Sequence, residues 1–117
     1  MRMWIVNPAI MCRQHLLGEH QELHTFVGTL RKKSSIDGYL IEGELDPRLL
    51  EARHEELVAE MIRRGYDHYS PIDVPDFSYL DLQEDYYINP NASLDLLLSR
   101  CANCRERYEE ANNGSPT

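Results

Sequence analysis

No run of about 18 or more apolar residues occurs in this 117-residue sequence, so no segment has the length and hydrophobicity to cross a bilayer as a helix. The opening MRMWIVNPAI lacks the apolar stretch and small-residue cleavage site of a secretory signal. A soluble, cytoplasmic protein is therefore expected. Cysteine is scarce, with three residues, and an odd number without staple-like spacing suits a reducing compartment better than a disulfide scaffold. Cations are short as well: 12 Lys and Arg stand against 20 Asp and Glu, a net charge of −8. That balance excludes a uniformly basic surface for a polyanion, because phosphate binding depends on Lys and Arg displacing counterions. Alternating strand patterns, internal repeats and low-complexity blocks are missing too. What is present is a 42% hydrophobic content, sufficient at this length for one domain with its own core.

The charge is unevenly spread. Residues 1–33 hold Arg2, Arg13, Arg31, Lys32 and Lys33 against Glu19 and Glu22, a net of +3 that leaves −11 on the remainder. A local anion site at the N-terminal end is compatible with such asymmetry, with binding weaker and more salt-sensitive than on a basic protein.

Leu16, Leu23, Phe26, Val27 and Leu30 recur at helical spacing and predict a first helix from about Met11 to Lys33, closing on three cations that suit its C-terminal dipole. The stretch SSIDGYLIEGEL reads as a polar loop. Asp46-Pro47 then supplies an N-cap with proline at the first helical position, and Leu45 and Leu50 are placed for a hydrophobic staple. The second helix should reach Arg64, with apolar positions Leu50, Leu57, Val58 and Met61 and with Gly65 where a left-handed terminating residue belongs. From Tyr66 to Ile88 periodicity fails while tyrosine, aspartate and proline accumulate, which predicts a long tyrosine-rich loop over the helices. A third helix, capped by Asn89-Pro90 or Asn91, carries Leu94, Leu97, Leu98, Cys101 and Tyr108 on one stripe and ends near Ala111. The expectation is an all-α single domain of three main helices over residues 1–111, with 112–117 as a flexible tail.

On the first helix, His15, Gly18, Glu22, Thr25 and Thr29 are offset by 3, 7, 10 and 14 residues and share a face beside the leucine stripe. Small residues around a carboxylate leave the open space a pocket requires. A solvated helix face is the alternative, and composition alone favours it.

The segment MRMWIVNPAIMCRQHLLGEHQELHTFVGTLRKK, with its spacing from the N-terminus through Gln14-His15-Leu16 to Glu22-Leu23, resembles the phage-type pyrimidine-dimer DNA glycosylases with abasic-site lyase activity. ELVAEMIRRGY resembles that family's second helix and its exit, and DYYINPNASLDLLLSR the entry to its third. The resemblance implies a three-helix fold and a reaction in which the chain's own α-amine attacks the sugar carbon C1′ of a damaged pyrimidine nucleotide. A Schiff base forms, and β-elimination cuts the strand. Residue by residue, the resemblance puts Met1 at the nucleophile's position and Glu22 on the catalytic carboxylate. Arg2 and Arg100 fall on arginines near the reacting nucleotide, and Gln14 on a DNA-contacting glutamine with His15 beside it. Gln21 and Thr25, carried over as DNA-binding positions, stand where the family has phosphate-binding arginines, so weaker DNA affinity is expected. The bulky Arg2 should keep Met1 in place. The implied partner is double-stranded DNA containing damaged or modified pyrimidines, met by a monomer that needs no cofactor, metal or membrane.

The chemistry also stands on its own terms. An α-amine titrates near 7.7–8.0 and a lysine near 10.4, so at neutrality roughly one lysine in a thousand is the free nucleophile against a substantial fraction of α-amines. A carboxylate nearby can stabilise cationic character at C1′ and move the C2′ proton. The reach is feasible, because Arg13 to Glu22 is a rise of about 14 Å along a helix, whereas the dozen residues before it can span about 40 Å. Trp4, Ile5 and Val6 can anchor this returning segment in the core, with Pro8 helping it turn.

Other constellations compete. Cys101 and Cys104 form a C-x-x-C that could be half of a zinc site with Cys12 and one of His15, His20, His24, His54 or His68. A second C-x-x-C is missing, so the preferred reading is two core cysteines. His54, on an apolar stripe between Leu50 and Leu57, reads as a hydrogen-bonded core histidine, and His20 and His24 as surface residues. Tyr79, Tyr86 and Tyr87 could stack on an extruded base, although packing of the long loop is the plainer use. Two other function classes stay open: a non-catalytic helical module that binds DNA or protein on the same scaffold, and a small metal-stabilised adaptor.

Overall fold

The first helix, α1, spans Arg13–Arg31 in a computed structural model that describes residues 1–67 and 70–113. Cys12 is its N-cap, in extended backbone, with its sulfur accepting the His15 N–H. Leu16, Leu23, Phe26, Val27 and Leu30 are all buried, as their spacing requires. The helix ends where Lys33 turns left-handed at φ 54°. There the Lys33 N–H reaches Leu30 O and the Ser34 N–H reaches Thr29 O, the paired bonds of a Schellman ending.

The segment expected to be a polar loop contains a helix, α2, at Asp37–Ile41. Five residues are too few to display periodicity, so this element has no sequence signature. Burial of Ile36, Leu40 and Leu45 holds it. It ends in the same Schellman pattern, with Gly43 at φ 67° and the Glu44 N–H on Tyr39 O. A side chain at Gly43 would meet the Tyr87 carbonyl at 2.8 Å, so the position excludes one for two reasons.

Asp46 caps a single 3-10 turn, Pro47–Leu49, which runs into α3 at Leu50–Arg63. Gly65, at φ 82°, terminates α3, and the Gly65 and Tyr66 amides close on Ile62 and Met61. Between Tyr66 and Asn89 the described residues form neither helix nor strand. Ile72, Val74, Phe77, Leu80 and Leu82 pack against the core there, half-buried.

The expected third helix is two. α4 covers Pro90–Arg100, α5 covers Ala102–Asn113, and Cys101 between them is extended at φ −124°, ψ 109°. No glycine or proline announces the break, which explains why a continuous stripe was read across it. The Asn89 side chain caps α4 by accepting the Asn91 and Ala92 amides, and Cys101 caps α5, its sulfur accepting the Cys104 N–H at 3.4 Å. Helix α1 packs on α3 and α4 on α5, so among the described residues the architecture is all-helical, with five α-helices and two 3-10 turns. His68 and the tail from residue 114 lie outside the described residues.

Candidate active site

Residues 1–12 form an arm across these helices rather than a loose end. Met3, Trp4, Val6, Ile10 and Met11 are buried, which supplies the apolar half of its attachment. The polar half comes from arginines that donate to its backbone carbonyls. Arg53 Nη1 reaches Val6 O at 2.7 Å, Arg64 Nη2 reaches Pro8 O at 3.1 Å and Met11 O at 2.7 Å, and Arg107 Nη2 reaches Ala9 O at 2.9 Å. Extended backbone buried between helices must find partners for its polar groups, and here the side chains of α3 and α5 provide them. Ser93 adds a hydroxyl bond to Trp4 O, and the Met3 N–H pairs with Glu44 O at 2.9 Å. Ile5 sits at φ 54°, a left-handed conformation that a β-branched residue holds only when its surroundings impose it.

Two of these arginines are themselves held by carboxylates. Arg53 is 1% exposed and makes a two-point pair with Glu19, Nε to Oε2 at 2.6 Å and Nη2 to Oε1 at 2.9 Å. Arg64 pairs with Glu60 at 2.7 Å. Burial pushes the Glu60 carboxyl up, but Arg63 and Arg64 outweigh it and hold the group below its ordinary value.

Clamped in this way, the arm delivers its first residues to Glu22. The Arg2 N–H donates to Glu22 Oε2 at 2.9 Å, and three covalent bonds keep the Met1 α-amine within about 4 Å of that amide nitrogen. Met1, Arg2, Trp4, His15, Glu22, Glu44 and Arg100 line one open cavity of about 400 Å³. The Arg2 guanidinium lies 5.0 Å from the Trp4 ring centre and 3.5 Å from Glu44, and Trp4 meets His15 edge to face at 6.0 Å. Gly18, one turn from both His15 and Glu22, has open space where a side chain would begin.

The sequence-derived site therefore divides. Met1, Arg2, His15, Glu22 and Arg100 come together at this cavity. Gln14 lies outside it, lining a separate groove with Arg13, Leu17 and Arg107. Gln21 and Thr25 are exposed along α1, with the Thr25 hydroxyl spent on the Gln21 carbonyl at 3.3 Å. Sequence reasoning missed Glu44, a second carboxylate at the cavity, and the Glu19–Arg53 clamp. Gly43 was the available signal for the former, since a left-handed glycine fixes the direction of the residue after it.

Elsewhere on α1, His20 is buried, not at the surface as expected. The α1–α3 contact extends beyond the leucine stripe and stacks His20, His24 and His54 with ring centres 4.8–5.4 Å apart. His54 is the hydrogen-bonded core residue its stripe implied, with Nε2 2.9 Å from Ser70 O. Burial and the neighbouring His24 and His54 push His20 down to about 4. Of the tyrosines, Tyr79 donates to Ser34 O at 2.8 Å and Tyr86 packs on the core. Tyr87 stands out at 62% exposure, in a neighbouring cavity that shares Arg2 with the first.

A family model described as pyrimidine dimer DNA glycosylase matches residues 1–74, which contain the arm, Glu22 and Glu44. The comparisons with curated proteins and with solved structures return no match.

Proposed function

The chain belongs to the pyrimidine dimer DNA glycosylase family, and from that premise we propose that it removes damaged pyrimidines through its own N-terminus, with Met1 as nucleophile and Glu22 as the catalytic carboxylate. The unprotonated α-amine attacks C1′, the bond from C1′ to the base breaks, and the base leaves with a proton. Transfer of the remaining N–H proton to O4′ opens the sugar and leaves a Schiff base between the chain and C1′. Removal of a C2′ proton then expels the 3′ phosphate oxygen and cuts the strand, and water releases the enzyme from the imine. Glu22 serves both stages, opposing the positive charge that develops at C1′ and accepting the C2′ proton.

The observation that carries this reading is the 2.9 Å bond from the Arg2 amide to Glu22, because it tethers the peptide next to the α-amine to the carboxylate at the wall of an open cavity. Arg2 and Arg100 are suited to the phosphates flanking the lesion, and His15 to the sugar edge. Gln14, Gln21 and Thr25 extend the DNA-facing surface along α1 as neutral hydrogen-bonding groups. Among the described residues Arg100 is exposed and makes no ion pair, so its charge is available to a phosphate. Duplex DNA is then bound by few cations, as the acidic composition requires.

The test is borohydride trapping. Untagged chain, with Met1 verified by intact mass, is mixed with duplex DNA carrying either an abasic site or ultraviolet lesions, and borohydride reduces any Schiff base to a stable crosslink. A crosslink that vanishes when the α-amine is acetylated is expected. Equal trapping by the acetylated chain would move the nucleophile to a lysine, and no trapping or cleavage at all would favour a non-catalytic DNA-binding role.

A further inference from the structure

Two short chelating pairs from opposite ends of the chain meet behind the cavity. Cys12 and His15 are C-x-x-H across the start of α1, and Cys101 and Cys104 are C-x-x-C across the start of α5. One donor atom from each lies within 4.8 Å of all the others. Cys12 Sγ is 3.2 Å from His15 Nδ1 and 3.8 Å from Cys101 Sγ, and Cys104 Sγ is 3.7 Å from His15 Nδ1. A tetrahedral zinc with Zn–S of about 2.3 Å and Zn–N of about 2.0–2.1 Å has sulfur–sulfur edges of about 3.8 Å and sulfur–nitrogen edges of about 3.5 Å. We propose that Cys12, His15, Cys101 and Cys104 form a Cys3His site for a structural zinc ion.

The hydrogen bonding around the sulfurs suits metal-bound cysteine. Each sulfur accepts a backbone N–H: Cys104 from Cys12 at 3.2 Å, Cys12 from His15 at 3.4 Å and Cys101 from Cys104 at 3.4 Å. Two of the three cysteines also cap helix N-termini, where the peptide dipoles favour an anion. Two of these bonds are helix caps, but the one from the Cys12 N–H to Cys104 is not, and metal-bound sulfur uses such N–H groups to spread its charge. A disulfide would join two sulfurs and strand the third. Soft thiolates with one imidazole and no open position suit zinc in a structural role over magnesium, calcium or a catalytic metal.

On binding, the three thiols release three protons and the ion takes their sulfur lone pairs. His15 coordinates through Nδ1 and keeps its proton on Nε2. The complex carries a net charge of −1, which the backbone N–H groups offset. The ion would join positions 12 and 15 to 101 and 104, closing the chain's two ends on each other. Arg100 immediately precedes Cys101 and His15 is a wall of the cavity, so the metal is a positioning device for two of its sides.

The full-length, untagged chain, purified without chelator from zinc-supplemented cells, should contain one zinc per molecule by elemental analysis. Its three thiols should resist a thiol reagent until a chelator or denaturant is added, and cobalt reconstitution should give thiolate-to-cobalt charge-transfer absorption. Cys101→Ser/Cys104→Ser should lose the metal. Where that variant fails to fold, Cys101→Ser alone, at a half-buried position, should surrender zinc to a competing chelator at least tenfold more readily than the parent. A parent chain with no metal, freely reactive thiols and no cobalt spectrum would overturn the proposal. So would zinc held equally tightly by the cysteine variants, which would place it at the His20, His24 and His54 cluster, and so would iron in place of zinc.

Discussion

The buried pair of Glu19 and Arg53 offers the sharpest test of how the arm is held. Both side chains are excluded from solvent, at 0% and 1% exposure, so removing either partner strands a charge in the core. Breaking a buried pair in this way costs about 3–5 kcal/mol. Arg53→Met should pay more than Glu19→Leu, because it also leaves the Val6 carbonyl without its donor, a further loss of about 1–3 kcal/mol. Against a total stability of about 5–15 kcal/mol, either single change brings the protein near unfolding. The double variant Glu19→Leu/Arg53→Met behaves differently: no charge remains, apolar groups of similar size fill the space, and only the Val6 carbonyl stays unpaired. Its cost should be about 1–3 kcal/mol, less than that of either single change. Urea unfolding of the four proteins, analysed as a double-mutant cycle, measures this directly. If the double change costs as much as the two single changes added, the pair is not acting as a desolvated unit. The clamp would then belong to the arm's apolar residues instead.

Glu22→Gln keeps the shape of the side chain and an acceptor for the Arg2 amide while removing the charge. Strand cleavage at an abasic site should fall by about 10²–10⁴-fold with little change in the urea midpoint, and cleavage at the parental rate would remove Glu22 from the mechanism. His20 predicts a pH effect. Its folded value of about 4 lies below the ordinary 6.5, so below pH 6.5 the unfolded chain takes the proton first. Stability is whole above 6.5, declines as pH falls to about 4 and then levels, a loss of up to about 3 kcal/mol. His20→Leu should flatten that stretch of a urea-midpoint profile. The two glycines should respond in opposite directions. Gly43→Ala is strained at φ 67° and collides with Tyr87 O, and should cost about 1–3 kcal/mol. Gly18→Ala meets open space inside a helix and should gain about 0.5–1 kcal/mol. Thermal unfolding of the two variants should give melting temperatures that move apart.

Parts of the site were legible because they are local. Helical spacing set Glu22 beside His15 and Gly18, and the dozen residues before α1 were long enough to bring Met1 back. The cavity that Met1, Arg2, His15, Glu22 and Arg100 line agrees with that geometry. The cysteine cluster was half legible. C-x-x-C at 101–104 was visible, but its complement is the C-x-x-H at 12–15, a pattern that gains meaning only when α4 and α5 bring the two pairs together.

By itself, the sequence determined the helical class, the stripes that become the core, and the endings at Asp46 and Gly65, since periodicity and capping are written in residues a few positions apart. It singled out Glu22 but gave no sign of what covers Glu19. Three positions apart on one helix, Glu19 is sealed against Arg53 and Glu22 meets the Arg2 amide. That division depends on which elements cover each face of α1. Tertiary structure alone decided it, along with the arginine grips on Val6, Pro8, Ala9 and Met11, because a backbone carbonyl is the same in every residue and leaves no mark on the sequence of the side chain that binds it.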